Sequence, residues 1–332
     1  MHKKILKYII IFLLGLIVLT LVLLTFLNSE WGRSSIVGIT NKYSPVRIEL
    51  NGLKLNLFKG EVLLEDLSIY DKDNIKMAGI RQLFVDVRLR PIFSGNYNID
   101  SLVIVGLHGD INSDQIKSLM RKDEKKDSKQ LNLVVKNLKV INTDIKYKDI
   151  DRSAEYGFKN NMIIASVNIK QADYSLKLEG SEIKINSPKT NKTILNDRLI
   201  VSLRKSKLEV KPANFKTEGL DLSLGGNVSD LFSLPVFDVN MSAELENSRF
   251  FDGLETFASD SGIFSVEADI RGNPDNPEFD VWLKHPSGIV YGQKISSLDL
   301  KANYKNKLLK LESKLLKAKD GIIDIYGNID LS

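Results

Sequence analysis

Between Gly262 and Leu331 apolar and polar residues take turns along the chain. Phe264, Val266, Ala268 and Ile270 alternate with Ser265, Glu267, Asp269 and Arg271. Leu298, Leu300, Ala302 and Tyr304 alternate with Ser297, Asp299, Lys301 and Asn303. Phe279, Val281 and Leu283 keep the same period, as do Ile323, Ile325 and Ile329. Successive side chains of a strand point to opposite faces, so each run predicts a strand with one apolar and one wetted face. Turn formers separate the runs: Gly272 to Pro277, Pro286-Ser287-Gly288 and Lys319-Asp320-Gly321. An antiparallel meander with one side to hide from water is the expectation.

The same alternation starts much earlier. Val46, Ile48 and Leu50 open it, and Leu53, Leu55 and Leu57 follow Asn51-Gly52. Residues 60–70 predict a second strand, closed by a polar turn at 71–74. Asp71 and Asp73 have the first two carboxylates of a calcium loop, but such a loop needs glycine sixth and glutamate twelfth, and Lys76 and Gln82 stand there. A solvated turn is expected instead. Phe84 to Leu89 and Ile99 to Val105 give further strands. Asn112 suits an N-cap with Gln115 three residues on, which predicts a short helix to about Arg121 with Ile116, Leu119 and Met120 on one face. The charged run 122–129 follows as a linker.

Beyond Leu131 short strands succeed one another. They are expected at 131–140, 163–170, 174–180, 199–204, 208–210, 220–228 and 236–245. Phe250, Phe251, Leu254 and Phe257 share one face of a helical interruption at 248–258, expected to pack on the sheet. Gly225-Gly226, inside a strand-like run, predicts a bulge or a close backbone approach.

Ahead of all this, residues 8–27 form an apolar run long enough, at about 1.5 Å per residue, to cross a bilayer's hydrocarbon core as a helix. A cleaved signal peptide is the rival reading, but its apolar part is usually shorter, and residues 25–30 offer a poor cleavage site. With Lys3, Lys4 and Lys7 before the run, a retained anchor would keep the N-terminus in the cytoplasm and place Trp31 near the outer interface. The expected organisation is thus a tip and anchor at 1–28, a β region at 29–110, a helix and linker at 111–130, and a repeating β region at 131–332.

Composition narrows the chemistry. The 332 residues are 43% hydrophobic and 27% charged, which fits a folded chain rather than a disordered one. Three of the five net positive charges come from the lysines before the apolar run, and no basic stripe with interleaved aromatics argues for nucleic acid. No cysteine is present, so disulfides, thiolate catalysis and cysteine metal sites are excluded. His2, His108 and His285 are isolated, and no HExxH, GxSxG or phosphate-loop motif occurs. No enzyme, metal or cofactor is expected, although two carboxylates brought together by folding would still allow a glycosidase.

Many strands with one apolar face each, and few helices to cover them, leave two outcomes. The sheet closes on itself as a sandwich or barrel, or it stays partly open and something apolar fills it. The alternation alone leaves both standing. The order of segments from Val46 to Gly52, Gly60 to Ile69, Leu83 to Leu89 and Ser94 to Leu102, behind a hydrophobic anchor, resembles the front end of the AsmA-like superfamily, its TamB branch above all. The segments from Leu224 to Leu231, Pro235 to Val239 and Gly321 to Leu331 are similar to that family's internal repeats.

The resemblance implies a mainly β protein: one transmembrane helix, then a long curled antiparallel sheet forming an open groove, with few short helices. It implies a single-pass protein of the bacterial inner membrane with its bulk in the periplasm, carrying phospholipid acyl chains toward the outer membrane. An outer-membrane barrel protein would be a partner, and a scaffold for outer-membrane protein assembly is the alternative role. The residues expected to line the groove are Phe264, Val266, Ile270, Phe279, Val281, Leu283, Leu298, Leu300, Leu309, Leu311, Ile323 and Ile325.

Overall fold

The structure, a computed structural model, describes residues 28–44, 46–92, 94, 96–120, 132–188, 190–245, 263–285, 288–290, 293–295, 297–318 and 321–330. The apolar run at 8–27, the charged run at 122–129 and the expected helix at 248–258 lie outside them. Among the described residues no helix is long and apolar enough to cross a membrane. The protein is mainly β and divides into two units, Met1–Lys170 and Gln171–Ser332.

The first unit runs α1 (Glu30–Tyr43), β1 (Arg47–Asn56), β2 (Glu61–Tyr70), β3 (Lys76–Val87), α2 (Leu89–Ile92), β4 (Asn96–Asn112), α3 (Ser113–Met120), β5 (Asn132–Asp149) and β6 (Ala154–Asn168). Strands β1 to β4 pair antiparallel in order, as do β5 and β6. Between them β4 and β5 run parallel, from Asn96↔Asn132 to Asn112↔Lys148. This corrects the expectation of a wholly antiparallel sheet. A parallel pair cannot be joined by a tight hairpin and needs a crossover of a dozen or more residues. Nineteen residues separate Asn112 from Asn132, enough for such a connection, and the described part of it is α3; the division into units falls after β6.

Helix α3 has the expected N-cap. The Gln115 N–H donates to Asn112 Oδ1 and the Asn112 N–H to Gln115 Oε1, both at 2.9 Å. Gln115 Nε2 also donates to Asp71 Oδ2 at 2.7 Å, while Asp71 Oδ1 accepts from the N–H groups of Asp73 and Ile75. The turn at 71–74 is therefore only partly solvated: Asp71 is 5% exposed and pins the helix to the β2–β3 connection. The Gln115 amide, then the two backbone N–H groups, hold the Asp71 carboxyl below its ordinary value against the opposing effect of burial. Replacing Gln115 with alanine should cost about 1–2 kcal/mol. The stability this carboxylate contributes is complete above its unfolded pKa and disappears as pH falls through its lowered folded value. Urea titrations at stepped pH should show the gap between wild type and Gln115→Ala narrowing below about pH 4; a gap constant to lower pH would contradict the assignment.

The outer edge of β1 is closed by α1, a helix the alternation did not announce. Asn41 donates to the Ile48 carbonyl at 2.9 Å and accepts the Ile48 N–H at 2.7 Å. Asn28, just before the helix, does the same for Leu55 at 3.0 and 2.5 Å, and Arg33 donates to the Asn51 carbonyl. Amide side chains thus stand in for a neighbouring strand and blunt an edge that would otherwise invite pairing.

The alternation shifts phase inside several strands, and of these β4 and β5 run well past the bounds their sequence suggests. In β2 it runs Val62, Leu64 and then Leu67, Ile69; in β5 it runs Leu138, Val140 and then Thr143, Ile145. Asp66, Gly106 and Asn142 have φ of 52°, 69° and 56°, and the registers place them in one line across β2, β4 and β5, with Arg81 of β3 between. A left-handed residue breaks the pleat. Val140 and Thr143 are accordingly both buried, an odd spacing that unbroken alternation would put on opposite faces.

The second unit holds β7 (Asp173–Ser187), β8 (Thr190–Arg204), β9 (Lys207–Thr217), β10 (Leu220–Ser229), β11 (Val236–Leu245), β12 (Phe264–Asn273), β13 (Asn276–His285), β14 (Gly288–Val290), β15 (Gln293–Ile295), β16 (Leu298–Lys305), β17 (Leu308–Ala318) and β18 (Gly321–Asp330). It is an antiparallel meander in which β16 pairs with β13, and the short hairpin β14–β15 joins it through Ile295↔Ala318 on β17. Gly225-Gly226 behaves as expected: the register between β9 and β10 shifts there, and Gly226 sits at φ 138°.

Candidate functional site

In the second unit the registers convert the alternation into rows that cross the strands. One row runs Leu222, Ala243, Val266, Leu283, Leu300, Ser313 and Ile325 from β10 to β18. The next runs Leu224, Met241, Ala268, Val281, Ala302, Leu311 and Gly327. The third runs Gly226, Val239, Ile270, Phe279, Tyr304, Leu309 and Ile329. Directly paired residues share a face, so the three rows form one apolar surface seven strands wide. The middle row is the small one, with two alanines and a glycine. Larger side chains flank it, among them the stacked rings of Phe279 and Tyr304, 4.6 Å apart and inclined 13°.

Nine of the expected lining residues stand in these rows; Phe264 extends the surface by pairing with Leu245, and Leu298 lies on β16 two residues before Leu300. Ile325 pairs with Ser313, and Ile323, beyond a register shift, with Leu316; their side chains lie outside what is described. The structure adds to the expected lining Leu222, Leu224, Val239 and Met241 on β10 and β11, and Tyr304 on β16. Their signal was the same period of two.

Burial decides how this surface is covered. Among the described residues of the second unit, the buried hydrophobic residues are Ala213 at 1% and Ala268 at 5% exposure, both alanines. Val266, Phe279, Val281, Leu283, Leu300, Leu309 and Leu311 are half-buried, and Ile270 is 39% exposed. Interiors pack at crystal-like density and normally bury such side chains fully. Ser313, fully buried at the register shift, puts a hydroxyl into the first row.

The opposite face is polar and tied by cross-strand pairs. Asn303 donates to Asp280 at 2.5 Å, Lys305 pairs with Glu278 at 3.0 Å, and the Lys301 ammonium sits 5.3 Å from the centre of the Trp282 ring. Exposed pairs of this kind contribute little stability each but fix which face meets water. A depression of about 340 Å³ crosses β9 to β12; its lining is mostly polar, with Asn214, Lys216, Asp221, Ser223, Ser242, Glu244, Ser265 and Glu267 beside Phe215, Leu222, Ala243 and Val266. Among the described residues no group of three or more His, Asp or Glu side chains is placed to hold a metal ion. Comparison with known protein families and with curated proteins gives no match.

Proposed function

We propose that the apolar face of the second unit is an open groove for lipid acyl chains, and that the protein is an anchored carrier that moves phospholipid between the membranes of a double-membraned bacterium. One observation carries this reading. Seven strands present a continuous apolar surface whose large side chains remain half-exposed, while the buried apolar residues described there are alanines. Leaving such a surface to water is costly, and each CH₂ of an acyl chain laid on it gains about 0.8 kcal/mol. The middle row, shallower at Ala268, Ala302 and Gly327, is the natural seat for a chain about one side chain wide. Rows of similar composition at every strand let a tail slide without a deep trap, and headgroups stay at the wet margin. The resemblance to the AsmA-like superfamily, with its N-terminal anchor and periplasmic sheet, supports the same assignment.

A photo-crosslinking amino acid placed in the full chain, in cells, tests it. At Leu300 it should capture phospholipid; at the neighbouring Lys301, on the polar face, it should not. Adding Val281→Asp should abolish the Leu300 product while leaving the folded chain in place. Equal labelling at both positions, or none, would end the proposal, and capture of a protein without lipid would favour the assembly scaffold.

A further inference from the structure

We infer that helix α1 lies in the membrane–water interface and, through its grip on β1, holds the first edge of the sheet against the bilayer surface; this rests on the anchor belonging to the proposed function. The exposed arc of α1 comprises Glu30, Trp31, Ser34, Ser35, Gly38, Ile39 and Lys42, while Gly32, Arg33, Ile36, Val37, Thr40 and Asn41 are more covered. Trp31 is 80% exposed, Ile39 is 62% exposed, and open space surrounds the position a Cβ would take at Gly38. The arc's one acidic residue, Glu30 at the first position, is paired with Arg33 at 3.2 Å, and the arc turns two large apolar side chains, Trp31 and Ile39, away from the protein.

What covers them follows from the chain just upstream. The apolar run ends at Leu27, and four residues of even fully extended chain reach only about 14 Å. If the run spans a bilayer, Trp31 is confined to the headgroup layer, where tryptophan is favoured over both water and hydrocarbon. Two side chains would bind a membrane weakly in free solution. Tethering makes the contact intramolecular, so a small preference suffices.

The grip on β1 gives this placement a consequence. Asn28 and Asn41 each bond both backbone groups of one β1 residue, fixing the two ends of α1 to Leu55 and Ile48. A helix held at both ends passes its orientation on the membrane to the strand, and β1 then stands at the lipid surface at a set angle.

The experiment uses the full chain in phosphatidylethanolamine–phosphatidylglycerol vesicles, with Trp282→Phe leaving Trp31 as the sole tryptophan. Because the chain lacks cysteine, Ile17→Cys can carry a depth-sensitive dye that reports the anchor independently. The expected result is a buried dye together with blue-shifted Trp31 emission, mostly lost to quenchers placed near the headgroups. A buried dye with Trp31 quenched only from water would overturn this inference and leave the anchor standing. A dye exposed to water would overturn the anchor and the inference with it. In Asn28→Ala/Asn41→Ala, the distance from a label at Lys54→Cys to the bilayer should broaden; an unchanged distribution would overturn the coupling through β1.

Discussion

Gly226→Val is expected to lower the unfolding stability of the second unit by about 3 kcal/mol or more. Gly226 sits at φ 138°, where a residue with a side chain is strained whatever space surrounds it. A Cβ there would also lie 2.3 Å from the Asp238 carbonyl oxygen and 2.6 Å from the Val239 Cα, both backbone atoms of the paired strand β11. Neither can withdraw without breaking the ladder, and a Cβ added at the neighbouring Gly225 would lie 3.1 Å from the Pro212 Cα. Valine adds its branched side chain to that collision. Gly327→Ala is the matched control, since nothing lies within 4 Å of the added carbon and the strand gains a residue of lower unfolded-chain freedom. Urea unfolding followed by Trp282 fluorescence should show the valine variant melting far earlier and the alanine variant no earlier than wild type. Equal midpoints for wild type and Gly226→Val would remove the basis for reading the glycine pair as a forced close approach.

The same glycine pair shows how far the sequence could be read. A Gly-Gly inside an apolar alternation has few explanations, so a bulge was legible there. The rows of the candidate site were legible too, because β12, β13 and β16 alternate without interruption and pair in order. Legibility ended where the alternation changed phase. In β5 the run ending at Val140 resumes at Thr143, and nothing local marks Asn142 as left-handed rather than as a loop residue. Half of that strand therefore went unrecognised, and β4, which carries Gly106, was cut short in the same way. The parallel pairing of β4 with β5 was hidden for another reason: period two is identical for parallel and antiparallel neighbours, and only the crossover length distinguishes them. Helix α1 escaped because its contact with β1 is polar. Asn28 and Asn41 hold backbone groups, and the exposed Trp31 and Ile39 break up the inward apolar stripe that a period of 3.6 would reveal.

Ala302→Trp should block acyl-chain movement along the middle row while leaving the fold's stability within about 0.5 kcal/mol of wild type. Ala302 lies between Val281 and Leu311 in that row, with Leu300 and Tyr304 two residues away along its own strand. Two physical pictures give opposite outcomes. In a closed core an indole at this position has no room, and overpacking costs about 1–3 kcal/mol. On an uncovered face the ring lies over its neighbours, removes apolar surface from water and fills the shallow seat that a hydrocarbon tail would use. The substitution changes shape and keeps polarity, so it separates passage from simple stickiness, which Val281→Asp cannot do. Transfer of a fluorescent phospholipid from donor to acceptor vesicles, with the anchored full chain in the donors, should fall at least tenfold, or about 1.4 kcal/mol in barrier. Undiminished transfer with a stable fold would remove the middle row from any path. A destabilised variant would mean that protein already fills the face, and no seat for lipid would remain on this sheet.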